Sequence, residues 1–479
     1  MTGVAAASPW TGRRWWLAVA AVAFLGLAVR VGYVLVVLAD VPPGLDAIWY
    51  QLQGGSIRNG TGYVVPRSWL TGVLIPTPAF PPAYPGYQAL WQWLVGDGPT
   101  AVRLAGLVPA AATIVLTALL GRRLAGPRVG LAAAVVVAVH PGLIAGDGSA
   151  MSENLTVPLV VGAQLLALTI VDRARYRERP DVAGDRRKRS TRVLAQSGMA
   201  LLGLGVVLGA AVLTRQDLAL FAVVLVGWTA TLTAGRDWRT ALAVGAVVAL
   251  GLATIVTPWM LRNLRAVDVA AVSTLSPTSA LAGANCPLTY QRGDLGSWRY
   301  DCVIDARPGA MSEEDLLANQ VGEAELMDAY QAAAQDHVSA NLDRLPAVLA
   351  ARQARAWGWW DPRDLADRDT DESRRYGWQL VANPVSAVLA VAGGGALVAL
   401  HRRRRDHRHL VLATAVVAVA VSVTLGYGNP RFALTAQPAL VLAALLAARR
   451  SVLVRRLGAR PVGRRSAPGQ DPTSGTVTA

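Results

Sequence analysis

Asp46 stands where the chain leaves its first long apolar run, inside the stretch GLDAIWYQLQGGSIRNGTGY from Gly44 to Tyr63. A carboxylate held at a membrane face is costly to place and is a functional candidate by default. The plainer alternative is a solvated aspartate at a helix start. Further along, Arg103, Glu153, Arg215, Asp217, Arg262 and Arg431 fall at the same ends of other apolar runs, and His140 lies just inside that face. Arginines there run against the usual inward bias of positive charge. A guanidinium fork matches phosphate oxygens, so these residues point to an anionic ligand. Their alternative is pairing among themselves, such as Arg103 with Glu153. A carboxylate beside arginines suits sugar transfer from a lipid phosphate. The carboxylate would take the acceptor hydroxyl's proton during attack on the anomeric carbon. The arginines would stabilise charge on the departing phosphate. One base and one displacement would invert the anomeric centre.

Such a site has to be positioned by a membrane scaffold. The 479 residues are 53% hydrophobic and only 16% charged, which is too apolar for an ordinary soluble domain. The net charge of +15 does not indicate nucleic acid, because the arginines cluster in short segments between apolar runs. Lys188 is the single lysine, a usage consistent with a GC-rich, actinobacterial genome.

Arg13 and Arg14 precede the first run, Trp15 to Leu38, which is hydrocarbon except for Arg30 and reads as a signal anchor with its N-terminus inside. The next spans are predicted at 100–120, 129–144, 153–171, 193–213, 218–234, 240–259, 384–400, 410–425 and 432–448. That makes about ten transmembrane helices, with both termini cytoplasmic and every strongly basic short loop on one side. The fold class is an all-α integral membrane protein of the cytoplasmic membrane, with the candidate site on its outer face. Residues 1–263 form an N-terminal membrane module with an outer loop at 39–98. Residues 264–383 form a small extracytoplasmic region, 384–448 the last spans, and 449–479 a basic, disordered tail inside.

Within the outer segments, Gly86 to Val95 reads as a helix lying along the interface, with Trp91 and Trp93 as headgroup anchors. Ser312-Glu313-Glu314-Asp315 reads as a capping box opening a helix through about Ala340. The stretch Arg352 to Trp360 reads as a second interfacial helix. Cys286 and Cys302 share one polar segment; outside the cell they would form a disulfide, otherwise they are free thiols.

Together these features resemble the GT-C glycosyltransferases of the protein-mannosyltransferase and aminoarabinose-transferase kind, grouped as glycosyltransferase family 39. The resemblance covers most of residues 17–440. It rests on Asp46 with Tyr50 after the first span, Pro81-Pro82-Ala83-Tyr84-Pro85, and Arg103 opening the second span. Ser152-Glu153, Leu213-Thr214-Arg215, Pro258-Trp259 with Arg262-Asn263, and Pro430-Arg431-Phe432 complete the set. It implies Asp46 as catalytic base and a polyprenyl-phosphate-linked sugar as donor. The acceptor would be a cell-envelope polysaccharide, lipid or protein. Arg103, Arg215, Arg262 and Arg431 would meet the donor phosphate, and Tyr50, Tyr84, His140, Glu153 and Asn263 would line the cavity. The segment with Asn285-Cys286, Tyr290, Trp298 and Asp301-Cys302 is similar to actinobacterial members. Ala47 stands where many relatives carry a second acid, which removes that position from any metal or acceptor role. A divalent ion bridging Asp46 and the phosphate stays open.

The competing class is a transporter or flippase of an anionic polyprenyl-linked lipid, which should carry polar or broken-helix positions within several spans. The spans here are mostly Ala, Val and Leu. Asp367, Asp369 and Asp371 read as a solvated charge run, and His401, His407 and His409 as charge facing lipid headgroups. Gly393-Gly394-Gly395 reads as helix packing.

Overall fold

The computed structural model describes residues 12–66, 68, 72–176, 186–312, 315–316, 321–403 and 407–458. Among them the chain is helical throughout, with one isolated antiparallel bridge between Val64 and Pro76. In a bilayer each backbone donor and acceptor needs a partner within the protein, and a helix supplies these within one segment.

The first half comprises α1 (Arg13–Gly32), α2 (Leu45–Arg58), α3 (Ala83–Val95), α4 (Pro99–Leu104), α5 (Leu107–Ala125), α6 (Pro127–Val139), α7 (Pro141–Gly148), α8 (Glu153–Tyr176), α9 (Arg186–Thr214) and α10 (Leu218–Ala234). The second half continues with α11 (Trp238–Val267), α12 (Leu275–Ala284), α13 (Tyr300–Asp305), α14 (Glu323–Ala340), α15 (Leu345–Ala356) and α16 (Pro362–Arg368). It ends with α17 (Tyr376–Arg403), α18 (Val411–Leu425), α19 (Pro430–Ala433) and α20 (Gln437–Gly458). Among the described residues eight helical segments are long and apolar enough to cross a membrane. The α6–α7 pair, bent by 57°, makes a ninth, and α10 is a shorter apolar helix. The chain is a multi-pass integral membrane protein, and each predicted span coincides with a helical segment.

Small residues set how closely these helices pack. A side chain on Gly205 of α9 would meet the Val248 carbonyl at 2.1 Å, and one on Gly251 of α11 would meet the Leu202 carbonyl at 2.3 Å. A side chain on Gly393 would meet the Leu440 backbone at 2.7 Å, while Gly394 and Gly395 face open space. Close backbone approach of this kind drives helix association in lipid.

The α6–α7 bend accounts for Arg30. Pro141 has no N–H to return to Val137, so the last carbonyls of α6 lose their helical partners. Arg30 donates to the Ala138 carbonyl at 2.7 Å and the Val137 carbonyl at 3.4 Å, and pairs with Asp147 at 2.6 Å. His140 Nδ1 accepts from the Leu143 N–H and caps α7.

Several sequence expectations change. Arg352 and Arg355 of α15 are buried, donating to Ala284, Thr424, Gly293 and Leu295 carbonyls, so that helix is anchored to the protein and not by arginines at an interface. Trp93 is exposed as expected, whereas Trp91 donates to the Ala101 carbonyl. Ser312 and Asp315 exchange the hydrogen bonds of a capping box, but residues 321–322 interrupt the helix before α14. Glu313 and Glu314 lie outside the described residues. Asp369 is buried, because Arg374, Gln379 and Asn383 all bond its carboxylate; Asp367 and Asp371 are solvated as expected. His409 is buried and does not face outward. The last helix runs on to Gly458, and residues 459–479 lie outside the described residues. Cys286 and Cys302 form a disulfide.

Arg30→Met should cost about 3–5 kcal/mol, since it strands a buried carboxylate and two carbonyls. Thermal unfolding in detergent would record this as a large drop in Tm. Adding Asp147→Leu should restore part of the loss, and no recovery would mean that the carbonyl contacts carry the effect.

Candidate active site

The site forms where α2, α8, the α9–α10 turn, the turn before α17, and α19 converge. Gly44 makes that convergence possible. A side chain there would fall 2.0 Å from the Asp371 carbonyl oxygen, so only glycine admits the 369–373 turn beside α2. The Gly44 N–H also donates to Ser373 Oγ at 2.6 Å. Asp46 sits in the first turn of α2, and Glu372 is brought opposite it.

Arg431 joins the two. Its backbone N–H is capped by Asn429 Oδ1 at 3.0 Å, and Asn429 Nδ2 donates to Glu372 at 3.1 Å. Arg431 Nη1 donates to Asp46 Oδ2 at 3.2 Å and makes a shorter contact with Glu372. Nη2 donates to the Tyr427 hydroxyl at 2.7 Å, and Nε lies 3.6 Å from Glu153. Glu153 opens α8 and accepts from Arg215 as well. Arg215 in turn grips Asp217 with two bonds, at 3.0 and 3.2 Å, and the Ser422 hydroxyl donates to Asp217 at 3.1 Å. Both guanidinium groups lie over the Phe432 ring, at 4.7 Å for Arg215 and 5.2 Å for Arg431. Four carboxylates thus share two guanidinium groups.

Beside Arg215 a narrow crevice, open to the surface, lies between α10 and α18. Leu218, Phe221, Ala415, Ala418, Val419 and Phe432 give it an apolar wall, with Arg215, Asp217 and Ser422 at its polar end.

Burial pushes Glu372 up to about 7; nearby Asp46 adds to this, and Arg431 opposes it. Desolvation pulls the half-exposed Asp217 upward, but Arg215 and the Ser422 hydroxyl outweigh it and hold its carboxyl below the usual range. Burial raises the Tyr427 hydroxyl to about 12 against the pull of Arg431, so it stays protonated.

Of the residues selected from sequence, the structure brings together Asp46, Glu153, Arg215 and Arg431. Tyr50 packs one turn below Asp46, edge-on to Phe80 and Tyr84, and Tyr84 accepts from Gln88. Arg103 makes no bond to these carboxylates: it donates to the Val41 and Leu38 carbonyls, at 2.6 and 3.5 Å, fastens the end of the first span, and lines a small crevice with Ala47 and Ser373. Arg262 donates to the Tyr63 and Thr77 carbonyls between the Tyr63 and Trp259 rings, and Asn263 donates to the Ala271 carbonyl. His140 belongs to the α6–α7 bend. Glu153 pairs with Arg215 and Arg431 in place of the expected Arg103. Glu372 was hidden in an acidic run, while Tyr427 and Asn429 were visible only as a turn before Pro430-Arg431. Among the described residues no three His, Cys, Asp or Glu side chains converge as ligands for a metal ion. Each carboxylate at this centre is paired with a guanidinium group.

No protein-family model matches the chain. A curated Pseudomonas aeruginosa (strain LESB58) protein, undecaprenyl phosphate-alpha-4-amino-4-deoxy-L-arabinose arabinosyl transferase, is 33% identical over 224 residues, 46% of this chain and 37% of that protein. Among solved structures, the apo oligosaccharyltransferase of Archaeoglobus fulgidus matches with TM-score 0.54 at 13% identity, over 94% of this chain and 52% of that one. The same organism's oligosaccharyltransferase AglB, in complex with an inhibitory peptide and a dolichol-phosphate, matches with TM-score 0.51 at 12% identity, over 96% and 53%. The chain therefore spans little more than a third of the curated relative and about half of the solved chains. These structural likenesses establish a GT-C-like membrane fold.

Because Glu372 holds its proton more tightly when folded than an unfolded glutamate does, it favours folding most at low pH. That contribution declines as pH rises from about 4.5 to about 7. The Tm of the wild type, measured against Glu372→Gln in detergent, should fall over that interval. Parallel curves would contradict the assignment.

Proposed function

We propose that the protein is a membrane glycosyltransferase that takes a sugar from a polyprenyl-phosphate-linked donor and passes it to a cell-envelope acceptor. The observation that carries this reading is the contact of Asp46 with Arg431, 3.2 Å apart, at the end of the bundle where an apolar crevice begins beside Arg215. A single lipid-linked phosphate sugar presents both chemistries that these features match: an isoprenoid chain for the apolar wall of the crevice and an anion for the guanidinium groups. The partial identity with a transferase whose name specifies an undecaprenyl phosphate sugar supports the same donor class.

In the proposed reaction Asp46 accepts the proton of the acceptor hydroxyl as that oxygen bonds to the anomeric carbon. The bond from that carbon to the phosphate oxygen breaks, and its electron pair leaves with the phosphate. Arg215 and Arg431 stabilise the charge gathering there. Tyr427 and Glu372 hold Arg431 in place, and Asp217 holds Arg215. Direct displacement inverts the anomeric centre. The motif order from Asp46 to Phe432 is what supports grouping the enzyme with family 39. The arginine-rich inner loops support a topology with both termini in the cytoplasm and the chemistry at the outer face. A pentose or hexose donor and a polysaccharide, lipid or protein acceptor all fit this chemistry.

Sugar transfer in membranes from a panel of radiolabelled polyprenyl-phosphate sugars tests the reading. Asp46→Asn should lower transfer by about 10²- to 10⁴-fold, the usual worth of a general base, while polyprenyl-phosphate binding survives. Full activity in this variant would remove Asp46 as base. Binding without transfer from any donor by the wild type would favour a flippase.

A further inference from the structure

Arg431 has neighbours on every side, although its Nε makes only a 3.6 Å ion pair. Glu372 and Asp46 share Nη1, Tyr427 takes Nη2, Glu153 faces Nε, and Phe432 lies under the plane. These partners differ in how accessible they are. The Asp46 side chain is 35% exposed, against 15% for Glu372 and 2% for Glu153. Asp46 also makes the longer of the two Nη1 contacts, whereas Glu372 is fixed by Asn429. An anion approaching Arg431 therefore meets the Asp46 contact first, and that contact is the weaker one.

Charge leads to the same place. Asp46, Glu153, Asp217 and Glu372 against Arg215 and Arg431 leave a formal excess of two negative charges with Glu372 ionised, and of one with it protonated. A phosphate that simply joined this set would meet net repulsion. A phosphate that replaces a carboxylate on a guanidinium keeps the strong charge-assisted bond and moves one negative group away.

We propose that the donor phosphate takes the edge of Arg431 held by Asp46, so that binding the donor and freeing the base are one event. This rests on the donor class proposed above. Only ion-pair partners change, and no covalent bond is made or broken in the exchange. Before it, Oδ2 of Asp46 is committed to Arg431; after it, that oxygen is available to the acceptor hydroxyl. Glu372 stays on Arg431 throughout and acts as a positioning residue, keeping the guanidinium aimed while Asp46 leaves. The exchange adds Oδ2 to the exposed Oδ1 and so favours donor binding before acceptor.

The test is the affinity of the full chain, in detergent, for undecaprenyl phosphate. Asp46→Asn and Asp46→Ala should each bind it about tenfold tighter than wild type, the factor that roughly 1.4 kcal/mol makes. Asp217→Asn removes the same charge from the same cluster but leaves Arg431 untouched, and should tighten binding much less. Asp371→Asn supplies the same comparison should Asp217→Asn fail to fold, since it removes a solvated charge beside Glu372 and leaves every partner of Arg431 in place. Equal tightening by the Asp46 and control variants would overturn the exchange, because only total charge would then matter, and would leave the donor class standing. Unchanged affinity in both Asp46 variants would also overturn it. Failure of every variant and the wild type to bind would remove the donor class, and the exchange with it.

Discussion

Two guanidinium groups shared among four carboxylates form the constraint on which this end of the molecule depends. Arg431 and Arg215 together touch residues from α2, α8, the α9–α10 turn, the turn before α17 and the loop ahead of α19. Removing water from such groups is expensive, and mutual attraction offsets the cost only when geometry and additional hydrogen bonds are good. Here Tyr427, Asn429 and Ser422 supply those bonds. Segments far apart in sequence are therefore held in one arrangement by a polar centre at the membrane end, while apolar contacts hold the helices along their lengths.

The membrane architecture was legible because its signal is local. An apolar run of sufficient length reads as a span whatever its neighbours do, and Arg122-Arg123 or Arg402-Arg403 marks an end without reference to the rest of the fold. Asp46, Glu153, Arg215 and Arg431 were legible for a related reason: each lies at a helix terminus whose side the alternation of spans predicts. Arg103 and Arg262 carried the same signal and went elsewhere. Carbonyls that a helix end leaves open compete with any ligand for a guanidinium, and nothing in a linear sequence ranks that competition. Glu372 was missed for the opposite reason. Its acidic run reads as solvated, and the burial of Asp369 and Glu372 follows from the close approach of Gly44 to Asp371, a contact across more than three hundred residues. A glycine needed for tertiary contact looks like any other glycine before a helix.

The same distinction decides between chemistry and passage. An ionisable residue inside a span marks an ion or substrate path by default, and a broken span is what a transporter's central site requires. This protein has both, in Arg30 and the α6–α7 bend. The two features explain each other: Pro141 leaves the Val137 carbonyl without its helical donor, and Arg30 fills that need while Asp147 neutralises it. A charge consumed in repairing a bend is not available to a passing ligand. The centre proposed for a ligand lies at the end of the bundle, where Asp46 keeps a solvent-accessible side and an apolar crevice stops against Arg215 and Phe432. An amphiphile with an apolar chain and a charged head can satisfy both surfaces only by standing at that boundary, which places its reactive phosphate beside the carboxylate without any need to cross the bundle.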